Sequence, residues 1–159
     1  MSVFGELFHN YVMVASMSSW ATAQFLKFLI NYLTSKELKF ERLAGAGGMP
    51  SAHSATVTAL MISAARFEGV GSTFFAIAVV IAAVTIYDAM GVRHEAGEHA
   101  KIINQMLKQS SEEKRMDEAE EEEEDPDFKE LKEMLGHTPL EVVGGVFVGI
   151  LVPLIVPMG

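Results

Sequence analysis

The sequence contains no cysteine among its 159 residues. A disulfide framework, thiolate catalysis and a cysteine-based metal site are therefore excluded. Basic residues are scarce as well: 12 Lys and Arg stand against 21 Asp and Glu, which gives a formal net charge of −9. Most of the acid lies in residues 112–133, and this pattern does not suggest nucleic-acid binding. Residues 1–10 lack the basic start of a signal peptide, and no cleavage pattern follows them.

Apolar residues make up 50% of the sequence, and they concentrate in four runs that predict helices. Four such runs leave too little polar surface to cover a soluble bundle, so we expect them to cross a membrane. The sequence thus predicts an all-α fold, a small helical membrane bundle with about four transmembrane helices, as a single domain over residues 1–159. Residues 110–128 are charged and poor in apolar side chains, which predicts an acidic insert that is either a flexible solvated loop or an exposed charged helix. The four runs are residues 7–33, 51–67, 73–90 and 139–156.

The basic residues indicate which side of the membrane the links occupy. Four spans place residues 34–52 and 91–138 on the same side, and ten of the twelve Lys and Arg lie there. The positive-inside rule makes that side cytoplasmic. We therefore expect a multi-pass protein of the cell membrane whose functional face is cytoplasmic.

A first candidate site lies in residues 47–55, which read GGMPSAHSA. Pro50 lacks a backbone N–H, Ser51 is a natural N-cap, and His53 falls in the first turn of the following helix. A helix N-terminus attracts anions such as phosphate, and a histidine there can transfer a proton near neutral pH. The alternative is an ordinary helix cap with an incidental histidine.

A second candidate site closes the third apolar run, in residues 87–99. Arg93 offers a planar fork of donors that matches two phosphate oxygens. His99 is a candidate nucleophile or base. Asp88 lies near the end of the apolar run, where an unpaired carboxylate is costly, so we expect it to have a partner. The alternative is a helix end that carries solvated charges.

These segments resemble the divergent branch of the type 2 phosphatidic acid phosphatase superfamily, which also contains the vanadium haloperoxidases. The superfamily motifs are K-x6-R-P, P-S-G-H and S-R-x5-H-x3-D. Residues 50–53 stand for the second motif with Ala in place of Gly, and residues 93–99 stand for the core of the third. Residues 36–42 are a loose echo of the first motif, and residues 135–150 also resemble this branch.

The third motif departs from the superfamily pattern in one important place. The position four residues after His99 is Ile103, where the superfamily has the Asp that orients the nucleophilic histidine. The resemblance therefore implies either that Asp88, Glu95 or Asn104 takes over that role, or that His99 is not the nucleophile.

The resemblance implies an integral-membrane phosphatase that hydrolyses a lipid phosphate monoester, such as phosphatidylglycerol phosphate or phosphatidic acid. The reaction would pass through a phosphohistidine and need no metal or cofactor. His99 would attack phosphorus with Asp88 as its orienter, and His53 would protonate the leaving oxygen. The expected phosphate ligands are Lys27, Lys36, Arg42, Ser51 and Arg93, with His137 as an extra ligand or orienter.

Other interpretations of the same residues stay open. Lys27 is equally well explained as an anchor at the membrane interface, and His137 as a loop histidine near a helix start. The missing acid at residue 103 favours a non-catalytic lipid-phosphate-binding membrane protein. A vanadate-dependent oxidase is a third hypothesis from the same ancestry.

The last apolar run carries Gly145 and Gly149 at a spacing of four residues. Small residues at this spacing permit close contact between helices. The contact can form within the chain or between two copies, so the sequence also predicts a homo-oligomer through these glycines.

Overall fold

The computed structural model describes residues 3–35, 48–117, 131 and 136–158. Within these residues the chain forms helices and no strands, which confirms the predicted all-α fold. We number the helices α1 to α6 in chain order. Their bounds are Val3–His9, Tyr11–Ser35, Ala52–Glu68, Thr73–Met90, Val92–Asp117 and Pro139–Ile155.

Side-chain caps determine where several helices begin. The Ser51 hydroxyl caps α3, and the Ser72 hydroxyl accepts a hydrogen bond from the N–H of Phe75 at the start of α4. Thr138 and Glu141 form a capping box at the start of α6, and Pro139 occupies its first turn, where a missing N–H costs nothing.

One predicted helix is divided in the structure, and another extends into the acidic insert. The single helix expected over residues 7–33 is interrupted at Asn10, whose Oδ1 accepts a hydrogen bond from the N–H of Met13 at 3.0 Å and so starts a new helix. Helix α5 runs on to Asp117, so residues 110–117 of the acidic insert are helical, which is one of its two predicted alternatives. Glu, Lys and Arg favour this because they are good helix formers. Residues 118–130 lie outside the described part of the chain.

Helix α3 lies at the centre of the bundle and packs against α2, α4 and α6. Most of the side chains buried there are small, whereas many large apolar side chains are exposed. Small side chains let helix backbones approach closely, which is typical of helix packing in membranes. The buried small residues are Ala15, Ser16, Ser19, Ala23, Ser51, Ser54, Ala55, Thr58, Ala59, Ser63, Ala64, Ala78, Ala82, Ala89 and Ala100.

Helix length and hydropathy support only part of the predicted membrane arrangement. Among the described helices, the stretch of residues 73–110 is long and apolar enough to cross a membrane. Helix α6 is apolar but has 17 residues. Helices α2 and α3 carry many hydroxyl side chains, which lower their hydropathy. The number of four spans therefore stays a prediction.

A polar cluster joins three helices at the end of the bundle opposite to the start of α3. The Pro153 carbonyl would accept the N–H of residue 157 in a regular helix, but that residue is proline and has no N–H. The Tyr11 hydroxyl donates to this carbonyl at 2.7 Å, and the Arg66 guanidinium donates to both oxygens. The cluster thereby connects α2, α3 and α6.

Gly145 and Gly149 form the contact between α6 and α3. A Cβ atom at Gly149 would lie 2.6 Å from both the Ala55 carbonyl oxygen and the Thr58 Cβ, and Gly145 abuts the Ser51 carbonyl. Both glycines are buried in this contact. The structure thus uses them within the chain, and a homo-oligomer stays a prediction without support from these two residues.

This close contact predicts different outcomes for two glycine-to-alanine substitutions on α6. Replacing Gly by Ala raises the helix propensity by a similar amount at either position. At Gly144 the new methyl group meets the flexible end of Met49 at 3.3 Å, whereas at Gly149 it meets backbone and Thr58. We expect Gly149→Ala to be less stable than Gly144→Ala by about 1–3 kcal/mol. Chemical denaturation in detergent would measure this difference, and equal stabilities would contradict the tight contact.

Candidate functional site

The start of α3 is fixed by two buried serines. Ser51 has no exposed surface, and its hydroxyl oxygen accepts hydrogen bonds from the Ser54 N–H at 3.3 Å and from the Ser54 hydroxyl at 3.0 Å. The Ser51 N–H donates to the Glu141 carbonyl at 2.9 Å, which ties this helix start to α6. His53, the second residue of α3, is exposed beside them. Ser51, predicted as a phosphate ligand, is thus engaged as a helix cap.

The break between α4 and α5 helps to position His137, the second histidine of the site. The helix turns at Gly91, whose N–H still donates to the Tyr87 carbonyl at 2.8 Å. The Ala89 carbonyl accepts the N–H of His137 at 2.9 Å. Because that carbonyl lies at the end of α4, the backbone of His137 is held beside it.

Gly136 lets this loop approach the start of α5. Its φ angle is 79°, and a Cβ atom there would lie 2.6 Å from the His94 Cα and 2.7 Å from the Arg93 carbonyl carbon. Another residue would require both a strained backbone and a displaced helix. The following residue, His137, is therefore placed against the α4–α5 junction.

Four of the residues singled out in the sequence line one small cavity. His53, Asp88, Arg93 and His137 surround it together with Thr85, Ala89 and Gly136. Its volume of about 20 Å³ corresponds to roughly one water molecule. The rings of His53 and His137 lie 5.9 Å apart between centroids, with an angle of 60° between their planes. The two rings are thus neighbours at the same small cavity.

The Glu141 carboxylate orients His137. One oxygen accepts hydrogen bonds from the His137 Nδ1 and the Thr138 N–H, each at 3.1 Å, and the other accepts the Gly48 N–H at 3.2 Å. Because a carboxylate only accepts, Nδ1 carries a proton, and in the neutral ring the lone pair is on Nε2. The Nε2 atom is buried and has no hydrogen-bond partner among the described residues.

The surroundings also keep the His137 ring uncharged. Burial lowers the pKa of His137 below its ordinary value, and the charges of His53 and Lys27 lower it further. The hydrogen bond and the charge of Glu141 raise that pKa and offset part of the decrease. At neutral pH the ring is therefore neutral, and the Nε2 lone pair is available.

Asp88 and Arg93 form an ion pair at the edge of the cavity. The Asp88 Oδ2 lies 2.6 Å from the Arg93 Nε, and their side chains are 39% and 51% exposed. Asp88 therefore has the charged partner that its position in an apolar run requires. The pair occupies the Arg93 Nε, so the terminal nitrogens of that guanidinium can still reach a phosphate.

His99 does not line this cavity. It is exposed on α5, six residues after Arg93. Six residues of α-helix correspond to about 9 Å along the axis and about 240° around it, so the two side chains leave the helix in different directions. The structure thus separates the Arg and His of the predicted third motif, and the catalytic role of His99 stays a prediction.

Of the three remaining predicted phosphate ligands, the structure describes one, Lys27. Lys27 is buried on α2 at 8% exposure, and its Cε lies 2.7 Å from where a Gly48 Cβ would be. This places its charge on the side of the site that holds Glu141 and His137. Lys36 and Arg42 lie outside the described residues.

Glu141 is the site residue that sequence reasoning missed. It stands four residues after His137, the spacing between the histidine and the acid of the third superfamily motif, with Glu in place of Asp. That spacing is the signal in the sequence that could have found it.

Comparisons with known proteins agree with the resemblance. The sequence model of the Divergent PAP2 family matches residues 8–152. The Uncharacterized membrane protein YuiD of Bacillus subtilis (strain 168) is 39% identical over 154 residues, which cover 94% of this chain and 96% of that protein. No solved structure matches the chain significantly.

The link between Glu141 and His137 predicts a change in the pKa of this histidine. The Glu141 carboxylate raises that pKa, so Glu141→Gln should move the His137 titration midpoint to lower pH. Ring-proton NMR in detergent micelles, assigned by comparison with His137→Gln, would measure the midpoint. Glu98 is an exposed residue of α5. The control variant Glu98→Gln should leave the His137 midpoint unchanged. An unchanged or raised midpoint in Glu141→Gln would contradict the contact.

Proposed function

The chain belongs to the Divergent PAP2 family, and on this premise we propose that it is an integral-membrane phosphatase acting on a lipid phosphate monoester. The observation that supports this best is the His137 ring. Its Nδ1 is held by Glu141, its buried Nε2 has no partner among the described residues, and the residue lines a cavity together with His53 and Arg93. This combination matches an activated nucleophile facing an acid and a cation.

The membrane location is supported by the distribution of side chains. Large apolar residues such as Phe74, Val80 and Phe147 are more than 60% exposed, while the interior is built from small residues. Exposed apolar surface of this extent is costly in water and favourable against lipid. The Bacillus subtilis relative is named a membrane protein.

The proposed reaction has two steps. The His137 Nε2 attacks phosphorus, the bond between phosphorus and the lipid oxygen breaks, and His53 donates a proton to that oxygen. Water then attacks the phosphohistidine, gives a proton to His53, and releases inorganic phosphate and the His137 lone pair. Glu141 holds the proton on Nδ1 during both steps. Arg93 neutralises the phosphate oxygens, and Lys27 adds positive charge nearby.

His137 replaces His99 as the nucleophile in this proposal because of the geometry. His137 lines the same cavity as His53 and has an orienting carboxylate, whereas His99 is exposed and outside that lining. The absence of an acid at residue 103 was the argument for a non-catalytic lipid-phosphate binder. With Glu141 next to His137, that argument loses its basis.

Substitution of the three histidines tests the assignment. His137→Gln and His53→Gln should each lower the turnover of a lipid phosphate by about a hundredfold or more, whereas His99→Gln should retain most of it. With p-nitrophenyl phosphate, whose leaving group needs no acid, His53→Gln should still form an alkali-stable phosphoenzyme. Mass spectrometry should locate that phosphate on His137.

Other outcomes would overturn this proposal in distinct ways. Phosphate located on His99, together with an inactive His99→Gln, would restore the first assignment from the sequence. A wild-type protein that binds lipid phosphate but releases none would be the non-catalytic binder.

The absence of cysteine makes the topology directly testable. Single cysteines replacing Val70, in the turn between α3 and α4, and Glu98, on α5, lie at opposite ends of the bundle. In intact cells, we expect a membrane-impermeant thiol reagent to label the Val70→Cys variant and to label the Glu98→Cys variant only after permeabilisation. Labelling of Glu98→Cys in intact cells would place the site outside.

A further inference from the structure

A second and much larger cavity lies between α1, α2, α3 and α4, with a volume of about 810 Å³. This volume is within the range of small-molecule sites. Its walls are mainly apolar, and Leu60, Phe67, Phe74 and Ile81 are among them. Water would find few hydrogen-bond partners against such walls, so the cavity suits a hydrocarbon occupant.

The lining of both cavities follows a single stripe of α3. His53 lines the small cavity, while Leu60, Ala64 and Phe67 line the large one. These positions are separated by seven, four and three residues, which places them on the same face of a helix. The large cavity therefore continues the face of α3 that begins at His53.

The same relation holds on α4, which runs antiparallel beside α3. Ile77 and Ile81 line the large cavity, and Thr85 and Asp88 line the small one, at separations of four, four and three residues. Ile81 and Thr85 are thus about one helical turn, roughly 6 Å, apart. The two cavities lie along one seam between α3 and α4.

Charge sets the direction in which an anionic amphiphile would lie along this seam. The large cavity is bordered by the exposed carboxylates Glu6 and Glu68, which outnumber the Arg66 guanidinium on the Tyr11 hydroxyl and would repel a phosphate. The cation of the small cavity is Arg93. The phosphate therefore belongs at the small cavity, with the hydrocarbon pointing toward the large one.

We propose that the hydrocarbon tail of the substrate lies along the α3–α4 seam and that its distal part fills the large cavity. This inference rests on the phosphatase function proposed above. Leu60 is about 10 Å and Phe67 about 21 Å along α3 from His53. A lipid chain of one leaflet spans about 15 Å, half of a membrane core of about 30 Å. Such a chain reaches past Leu60 into the cavity, and a chain half as long does not, so the enzyme selects substrates by chain length.

Alkyl phosphates of two lengths test this proposal. We expect the wild type to hydrolyse a chain of about sixteen carbons with a kcat/KM at least tenfold higher than a chain of about six carbons, since the longer chain buries more apolar surface. Ala64→Phe puts bulk into the cavity, and it should lower kcat/KM for the long chain about tenfold and leave the short chain unchanged.

A matched pair on α4 provides the control. Ile77 lines the cavity, and Val80 does not, while both are more than half exposed. Ile77→Trp should reproduce the long-chain loss seen in Ala64→Phe, and Val80→Trp should change neither substrate. Because these positions are exposed, the pair keeps the test informative if Ala64→Phe fails to fold.

The results separate the phosphatase function from the tail site, which is the large cavity as the binding site for the hydrocarbon tail. Hydrolysis of both chain lengths with equal kcat/KM, unaffected by Ile77→Trp, would overturn the tail site and leave the phosphatase standing. If the wild type hydrolyses neither substrate, the tail site can still be tested by the binding of a fluorescent long-chain alkyl phosphate. Weaker binding in Ile77→Trp but not in Val80→Trp would support the tail site, and equal binding in both would overturn it.

Discussion

The Glu141 carboxylate is the interaction on which the arrangement of the site depends. Through one side chain it receives hydrogen bonds from the His137 ring, the Thr138 N–H and the Gly48 N–H. It therefore starts α6, sets the tautomer of a histidine and fixes the segment that leads into α3. A charged acceptor with three donors is strongly stabilised in a partly buried place, because hydrogen bonds to ionised groups are stronger than neutral ones.

Backbone geometry brings the other half of the site to this carboxylate. The Gly145 and Gly149 contact sets α6 close against α3, so the first turns of both helices lie together. The break at Gly91 ends α4 beside the Ala89 carbonyl, which receives the His137 N–H. These backbone contacts explain how residues far apart in sequence surround one small cavity.

Helices can be predicted from local sequence signals, whereas a site assembled between helices cannot. Apolar runs and N-cap residues located α3, α4 and α6 to within a residue or two, because both signals are local. The site depends on distances across helices, which spacing alone does not determine. The Arg93-x5-His99 pattern resembled a motif, but helical periodicity turns the two side chains apart. Glu141 was overlooked because a first-turn glutamate is also an ordinary capping residue.

The small-residue interior has a consequence for how such a protein responds to mutation. In most globular proteins, truncating a buried Leu or Phe leaves a void, and the size of the void sets the loss of stability. Here the buried positions of α3 are mainly Ala, Ser and Thr, which have little or nothing to remove. An alanine scan of this helix would therefore leave its most important contacts undetected, and only a scan that adds volume would reveal them.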